Sequence, residues 1–160
     1  MSVDPVDRFT PALLQWTVDD FDALSPSSLY NVLALRSEVF VVEQACVFQD
    51  IDGLDPLAMH LQGHSGGILV AYARCFPAGA SFPEASIGRV ATRSSARGAG
   101  LGHALVARAL QAVVDRWGVQ PVRIGAQAHL KHFYQRHGFS DVGRPYLEDG
   151  IEHLEMVRMP

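Results

Sequence analysis

A glycine-rich turn between a short apolar strand and a long amphipathic helix carries the strongest chemical signal in the sequence. The turn reads Arg97-Gly98-Ala99-Gly100-Leu101-Gly102, and it joins an apolar segment at 87–92 to a helical pattern at 101–117. Glycine has no Cβ to keep a ligand from the backbone, and the first amides of a helix lack partners inside the helix. The helix dipole adds about half a positive charge at the same end. The turn is therefore expected to bind an anion, most naturally a phosphate.

Two well-known phosphate-binding loops do not match this turn. In the dinucleotide-binding pattern Gly-x-Gly-x-x-Gly, His103 occupies the place of the third glycine, and the next predicted strand ends at Gln127, where that fold usually has an acid. A Walker loop requires Gly-Lys-Ser or Gly-Lys-Thr, and neither follows. A tight strand-to-helix corner without a ligand is the remaining alternative.

The turn and a downstream segment resemble one enzyme superfamily. Arg97-x-x-Gly100-x-Gly102 after a strand is similar to the acyl-CoA signature of the GNAT superfamily of N-acyltransferases. The segment at 127–139, which contains Tyr134 and closes on a Gly-Phe pair, is similar to the second motif of that superfamily. The two motifs stand in the right order, about thirty residues apart, which makes the resemblance specific.

The resemblance implies both a fold and an activity. The segments at 36–40, 43–44 and 50–52 resemble the ElaA-like branch, which implies an α/β domain over residues 1–160 with a mixed central sheet flanked by helices on both faces. The implied activity is N-acetyl transfer, in which a primary amine of a small molecule or peptide attacks acetyl-CoA directly, without a metal or a covalent enzyme intermediate. A CoA-binding sensor or interaction module without catalysis is the alternative. Homodimers are common among such proteins.

The resemblance also implies which residues contact acyl-CoA. Two neighbouring central strands of the superfamily splay apart, and the pantetheine arm lies in the gap between them. An asparagine of the superfamily often contacts the cofactor, and this sequence has a glutamine at that position, with the same donor and acceptor groups on a longer side chain. The matching positions are Val90, Ala91 and Thr92 along the arm, Arg97, Gly98, Ala99, Gly100, Leu101 and Gly102 around the pyrophosphate, and Gln127 in place of that asparagine.

Proton transfer to and from the reactants requires an acid and a base. A lysine-like amine has a pKa near 10.4, so it must lose a proton before it attacks a thioester. Tyr134 matches the superfamily position whose phenol protonates the departing thiolate, although it could instead be an ordinary packing residue. Glu43 and His153 are the candidate bases; either could be structural, and Glu43 could instead orient a cationic substrate. Arg89, beside the cofactor strand, could hold a substrate carboxylate or pair with a nearby acid.

An acidic and aromatic segment at 43–56 has two interpretations. Its acids could form one wall of a pocket for a cationic amine, as the resemblance favours, or a solvated loop. Calcium binding is disfavoured because Gly53 directly follows Asp50-x-Asp52, which breaks the EF-hand order. A metal site is likewise not expected among three histidines that are predicted to lie on the solvated surface, namely His129, His132 and His137.

Composition limits the possible classes of protein. With 160 residues, 48% of them apolar, the chain is long enough for one domain with a sizeable core. A net charge of −4 argues against general nucleic-acid binding. No apolar run approaches the twenty residues of a membrane span, and Cys46 and Cys75 form no Cys-x-x-Cys pair. We therefore expect a cytoplasmic protein with two structural thiols and no membrane partner.

The pattern of apolar residues predicts the helices and strands that carry these residues. An N-cap at Ser25 and a proline at the next position predict the start of a helix, whose apolar stripe leaves Arg36 and Glu38 outside. Strands are predicted at 13–18, 59–62, 68–76, 87–92 and 122–127, further helices at 101–117 and 130–137, and a hairpin at 146–159 with Asp149-Gly150 as its turn. The strand–helix–strand order around the glycine turn favours parallel neighbours.

Overall fold

A computed structural model describes residues 13–160. Within this range, seven strands form one sheet: β1 (Gln15–Asp20), β2 (Met59–Ser65), β3 (Ile68–Phe76), β4 (Ala85–Thr92), β5 (Val122–Gln127), β6 (Ser140–Glu148) and β7 (Ile151–Arg158). The α-helices of the same range are α1 (Pro26–Arg36), α2 (Leu101–Trp117) and α3 (Lys131–Gln135). Helix α1 continues directly into a π-helix at Ser37–Glu43.

The sheet is mixed and carries helices on both faces. Its strand order is β1-β2-β3-β4-β5-β7-β6, and β4 and β5 are parallel, whereas the other neighbours are antiparallel. Leu105 and Ala109 of α2 pack into the main core on one face, whereas Val32 of α1 packs with Tyr72 and Ala91 in a second cluster. These two layers confirm the predicted α/β fold.

The parallel strands β4 and β5 are paired at only two positions. Ala85 faces Val122 and Ser86 faces Arg123, and no further pair joins the two strands in the described part of the chain. A register shift between β3 and β4 marks a β-bulge, next to which Arg89 has a φ of 48°, in the left-handed region. Since a bulge bends the strand that carries it, β4 diverges from β5 and a gap opens between them.

Most of the predicted elements are confirmed, but their ends differ, most of all for β6, which begins at Ser140 and not at the predicted residue 146. Strand β1 begins at Gln15, two residues later than predicted, and the predicted helix at 130–137 is a 3₁₀ turn followed by the short α3. The hairpin turn is of the predicted type, because Asp149 and Gly150 both have positive φ, at 51° and 77°. The π-helix after α1 was not predicted from the sequence.

Among residues 13–160, no helix is long and apolar enough to cross a membrane. In the same range, His, Cys, Asp and Glu side chains form no group of three or more that could hold a metal ion.

Candidate active site

A cleft of about 930 Å³ follows the gap between β4 and β5. At the carboxyl ends of the two strands it is bounded by Arg97 and Gly102, and at their amino ends by Ser81 and Phe82. The lining residues from the two strands are Ser86, Ile87, Gly88, Arg89, Val90, Thr92, Ile124, Gly125, Ala126 and Gln127. The cleft thus extends along the gap, with the glycine turn at its open end.

The backbone of the glycine turn suits an anion. Gly98 and Gly100 have φ values of 98° and 76°, in the left-handed region that residues with a Cβ disfavour. Gly100 caps α2, and the N–H of Ala104 makes the first bond of the helix, to Gly100 O at 3.0 Å. The amides between these two residues have no acceptor inside the helix. Because the turn is exposed, its amides can hold a pyrophosphate group.

Glu43 and Gln44, at the end of the π-helix, each reach one side of the gap. Arg97 donates to Thr92 O at 2.6 Å and to Thr92 Oγ1 at 3.1 Å, and its Nη1 lies 2.7 Å from Glu43 Oε2. On the opposite side, Gln127 Nε2 donates to Gln44 Oε1 at 3.2 Å. The carboxylate of Glu43 is therefore already paired with a guanidinium, which disfavours Glu43 as the base.

The three residues predicted to face the pantetheine arm differ in how they meet the cleft. Val90 and Thr92 line it. The Ala91 side chain is 1% exposed and packs with Tyr72 on the face covered by α1. Successive side chains of a strand point to opposite faces, so Ala91 can reach a ligand in the gap only through its main chain.

Tyr134 lines the cleft and is also part of the core. Its side chain is 7% exposed, and its ring makes edge-to-face contacts with Phe133 and Phe139 at centroid distances of 5.0 and 5.9 Å. Burial raises the pKa of Tyr134 to about 12. The phenol therefore stays protonated at neutral pH and keeps a hydrogen to donate.

The backbone fixes the tautomer of His153, which also lines the cleft. His153 Nδ1 lies 2.7 Å from Ile151 O, and a carbonyl oxygen can only accept, so Nδ1 carries the hydrogen. In the neutral ring the lone pair is then on Nε2, which lies 3.8 Å from Glu148 Oε2. The ring stacks on Tyr146, with centroids 5.2 Å apart and planes at 23°. His153 thus offers an oriented proton acceptor.

Arg36 is fully buried, so the prediction that it lies outside the packed face of its helix is wrong. Its Nε donates to Asp50 Oδ2 at 2.9 Å, and its Nη1 donates to Asp55 Oδ1 at 2.7 Å. Both carboxylates come from the acidic segment that follows the π-helix. An arginine can occupy a core position in this way because its charge is neutralised there.

Two more arginines complete this partly buried network, which we name the Arg–Asp cluster: Arg36, Arg74, Arg89, Asp50, Asp52 and Asp55. Arg74 donates to Asp52 and Asp55, and Arg89 Nε donates to Asp50 Oδ1 at 2.7 Å. Pairing with Arg74 holds the pKa of Asp52 below its usual range. Each of the three aspartates is paired with at least one arginine, so none of them offers an unpaired charge to a cationic amine.

Comparisons with known proteins agree with this geometry. Residues 38–159 match the family described as "Acetyltransferase (GNAT) domain". The chain belongs to the GNAT acetyltransferase family. This GNAT protein is 42% identical over 148 residues to ElaA of Escherichia coli, covering 91% of this chain and 97% of ElaA. It is 43% identical over 149 residues to the UPF0039 protein sll0451 of Synechocystis, covering 92% and 97% of the two chains.

Solved structures show the same relationship. The crystal structure of an acyl-CoA N-acyltransferase from Pseudomonas aeruginosa matches the GNAT protein with a TM-score of 0.87 at 46% identity, covering 91% of this chain and 99% of that one. The crystal structure of E. coli ElaA matches with a TM-score of 0.84 at 41% identity and the same coverage. The resemblance to the ElaA-like branch is thereby confirmed.

The GNAT protein also has a histidine pair that the sequence did not reveal. His103 Nδ1 lies 2.9 Å from His137 Nε2, and both rings pack against Phe133. His137 was predicted to be a solvated surface residue; it is instead half-buried, and burial lowers its pKa. The two residues are 34 positions apart, so only the packing of α2 on the segment after α3 brings them together.

Proposed function

We propose that this GNAT protein is an N-acetyltransferase that transfers the acetyl group of acetyl-CoA directly to a primary amine. The observation that carries the proposal is the gap between β4 and β5, which opens beyond Ser86 and Arg123 and has the glycine turn at its open end. Acetyl-CoA supplies a thioester whose carbonyl carbon accepts the amine. Membership of the GNAT family supports acyl transfer from CoA.

The glycine turn and β4 bind and orient acetyl-CoA in this proposal. The amides of residues 101–103 and the positive end of the α2 dipole hold the pyrophosphate. Beyond Ser86, the backbone groups of β4 have no partner on β5 within the described residues. Since unpaired strand groups seek hydrogen bonds, Val90 and Thr92 bind the pantetheine arm as an added strand would be bound. Gln127 bounds the opposite side of the gap.

Tyr134 is the proposed acid. The phenol is protonated at neutral pH, and its position on the cleft wall supports transfer of that proton to the sulfur of the departing thiolate. Stabilisation of charge where it develops in the transition state lowers the barrier directly. Phe133 and Phe139 hold the ring on two sides, which limits its freedom to turn away.

His153 is the proposed base. Its Nε2 lone pair, oriented by the bond from Nδ1 to Ile151 O, accepts the proton that the attacking amine must lose. Glu43 instead orients Arg97, which in turn lies beside the glycine turn. Arg89 is paired with Asp50 and lines the cleft, so it positions the wall of the acceptor site. The proposed acceptors are small-molecule or peptide amines.

Release of free thiol from acetyl-CoA across a panel of amines tests the proposal. We expect amine-dependent release by the wild type, and a rate about a hundredfold lower for Tyr134→Phe with an unchanged Kd for acetyl-CoA. Tyr30→Phe is the matched control, because Tyr30 is 76% exposed on α1 and does not line the cleft. Equal rates for Tyr134→Phe and the wild type would remove Tyr134 from the mechanism. Binding without release for every amine would favour a CoA-binding module.

A further inference from the structure

Two glycines face the cleft where β4 and β5 begin to diverge. Ser86 and Arg123 form the last pair between the strands, and Gly88 and Gly125 each lie two residues further on. Because side-chain direction repeats every second residue, both glycines are on the same face of the sheet as that pair. Both line the cleft. The closed end of the gap is therefore a chamber into which neither strand projects a side chain at positions 88 and 125.

Tyr146 limits this chamber on one side only. A Cβ at Gly125 would overlap the Tyr146 Oη, so the hydroxyl lies directly on the backbone of β5. Stacking on His153 holds the Tyr146 ring in that place. A Cβ at Gly88, by contrast, would meet nothing within 4 Å. The chamber is thus open beside β4 and closed by a phenol beside β5.

The position of the chamber identifies what it would receive, if the proposed function holds. A ligand whose pyrophosphate lies at the glycine turn extends along the gap toward the point where the strands converge. The end of acyl-CoA opposite its pyrophosphate is the acyl group. The acyl group therefore meets Gly88, Gly125 and the hydroxyl of Tyr146.

We infer that Tyr146 is a specificity-determining residue, whose hydroxyl over Gly125 limits the acyl group to short chains such as acetyl. A longer chain that extends toward β5 would need the space that the phenol fills. Removal of the Tyr146 side chain would join that space to the chamber, whereas a side chain at Gly88 would reduce the chamber from the opposite strand. The two substitutions therefore change acyl-chain preference in opposite directions.

Equilibrium titration with CoA, acetyl-CoA and hexanoyl-CoA tests this inference without relying on turnover. We expect the wild type to bind hexanoyl-CoA at least about tenfold more weakly than acetyl-CoA, since misfit of a few methylenes in a pocket has effects of this size. Tyr146→Ala is expected to bring the two Kd values to within about threefold, with the Kd for CoA itself unchanged. Gly88→Val is expected to weaken the binding of acetyl-CoA by about tenfold relative to the binding of CoA.

Tyr146→Phe provides the conservative comparison, because it keeps the ring stacked on His153 and removes only the oxygen. Its ratio of the Kd for hexanoyl-CoA to the Kd for acetyl-CoA is expected to lie between the ratios of the wild type and Tyr146→Ala. Gly88→Val does not alter Tyr146, so it tests the chamber even if Tyr146→Ala fails to fold. If all variants bind CoA and have the same ratio of the Kd for hexanoyl-CoA to the Kd for acetyl-CoA, the inference is overturned but the proposed function is not. A wild type that binds no CoA would overturn the inference together with the proposed function.

Discussion

At the scale of the residue, hydrogen-bond partners decide which of the two candidate bases is available. Glu43 shares its carboxylate with Arg97 at 2.7 Å, so its charge is used to hold a guanidinium. His153 Nδ1 is hydrogen-bonded to a backbone carbonyl, which leaves Nε2 as the proton acceptor of the neutral ring. The role of each residue therefore depends on its hydrogen-bond partner as well as on its type and position. The roles we propose are therefore proton transfer for His153 and cofactor positioning for Glu43.

Substitution of the two residues separates these roles. His153→Gln is expected to lower kcat for amine acetylation by about a hundredfold, because it removes the lone pair that accepts the proton. Glu43→Gln is expected to raise the KM for acetyl-CoA and to leave kcat nearly unchanged, because Arg97 loses its anionic partner. Steady-state kinetics with acetyl-CoA varied at saturating amine would measure both effects. A loss of kcat in Glu43→Gln and none in His153→Gln would reverse the assignment.

The sequence predicted the residues whose spacing is local, and it missed those defined by distant partners. The glycine turn, Arg97 and Tyr134 belong to short motifs, and the resemblance of these motifs to those of the GNAT superfamily implied an acyl-CoA site. The burial of Arg36 depends on carboxylates 14 and 19 residues away, which a helical pattern does not register. The contact between Tyr146 and Gly125 requires the register of three strands, and no local signal could have predicted it.

At the scale of the element, the Arg–Asp cluster fixes the acidic segment against the sheet. Asp55 accepts from Arg36 of α1 and from Arg74 of β3, and Asp50 accepts from Arg36 and from Arg89 beside the bulge of β4. One wall of the cleft is thereby attached to two strands and a helix. Buried ion pairs add little net stability, but loss of one partner leaves a buried charge unpaired.

Asp55→Asn is expected to lower the free energy of unfolding by about 3–5 kcal/mol, because Arg36 has no exposed surface through which water could replace the lost charge. Asp20→Asn is the matched control, since Asp20 pairs with Arg116 on the surface, and its loss should cost no more than about 1 kcal/mol. Urea denaturation would measure both changes. Similar losses in the two variants would show that the cluster has no special role.

The sequence also predicted most elements but not the irregular ones. Apolar periodicity located the seven strands and α2, because it reports which faces are buried. It did not locate the bulge at Arg89 or the π-helix at Ser37–Glu43, since each differs from regular structure by about one residue and leaves the pattern almost unchanged. Both irregular elements border the cleft, and π-helices are frequent at functional sites.

At the scale of the whole molecule, buried thiol and phenol groups make the free energy of unfolding depend on pH in the alkaline range. Burial raises the pKa of Cys75, Tyr134 and Tyr146 to about 12, and it also raises the pKa of Tyr72. The unfolded chain loses these protons at lower pH than the folded one, near the ordinary values of about 8.5 for cysteine and 10 for tyrosine. The folded state therefore binds more protons above about pH 9, and the free energy of unfolding falls as pH rises toward 12.

Urea unfolding between pH 8 and pH 11 would measure this dependence. The decrease of the unfolding free energy with pH is expected to be shallower in Tyr134→Phe, which removes one of the four groups and retains the aromatic ring. A free energy of unfolding that does not change over this range would contradict the role of these buried groups.

All of these roles depend on the proposed binding of acyl-CoA in the gap between β4 and β5, with its pyrophosphate at the glycine turn. Calorimetric titration of acetyl-CoA into the wild type and Gly100→Val tests this binding. Gly67→Val is the control, because Gly67 has a similar φ of 81° in a turn that does not line the cleft. We expect one site per chain in the wild type, the same affinity in Gly67→Val, and affinity at least about a hundredfold weaker in Gly100→Val, which loses a main-chain anion site. No binding by the wild type, or equal binding by Gly100→Val, would contradict the claim.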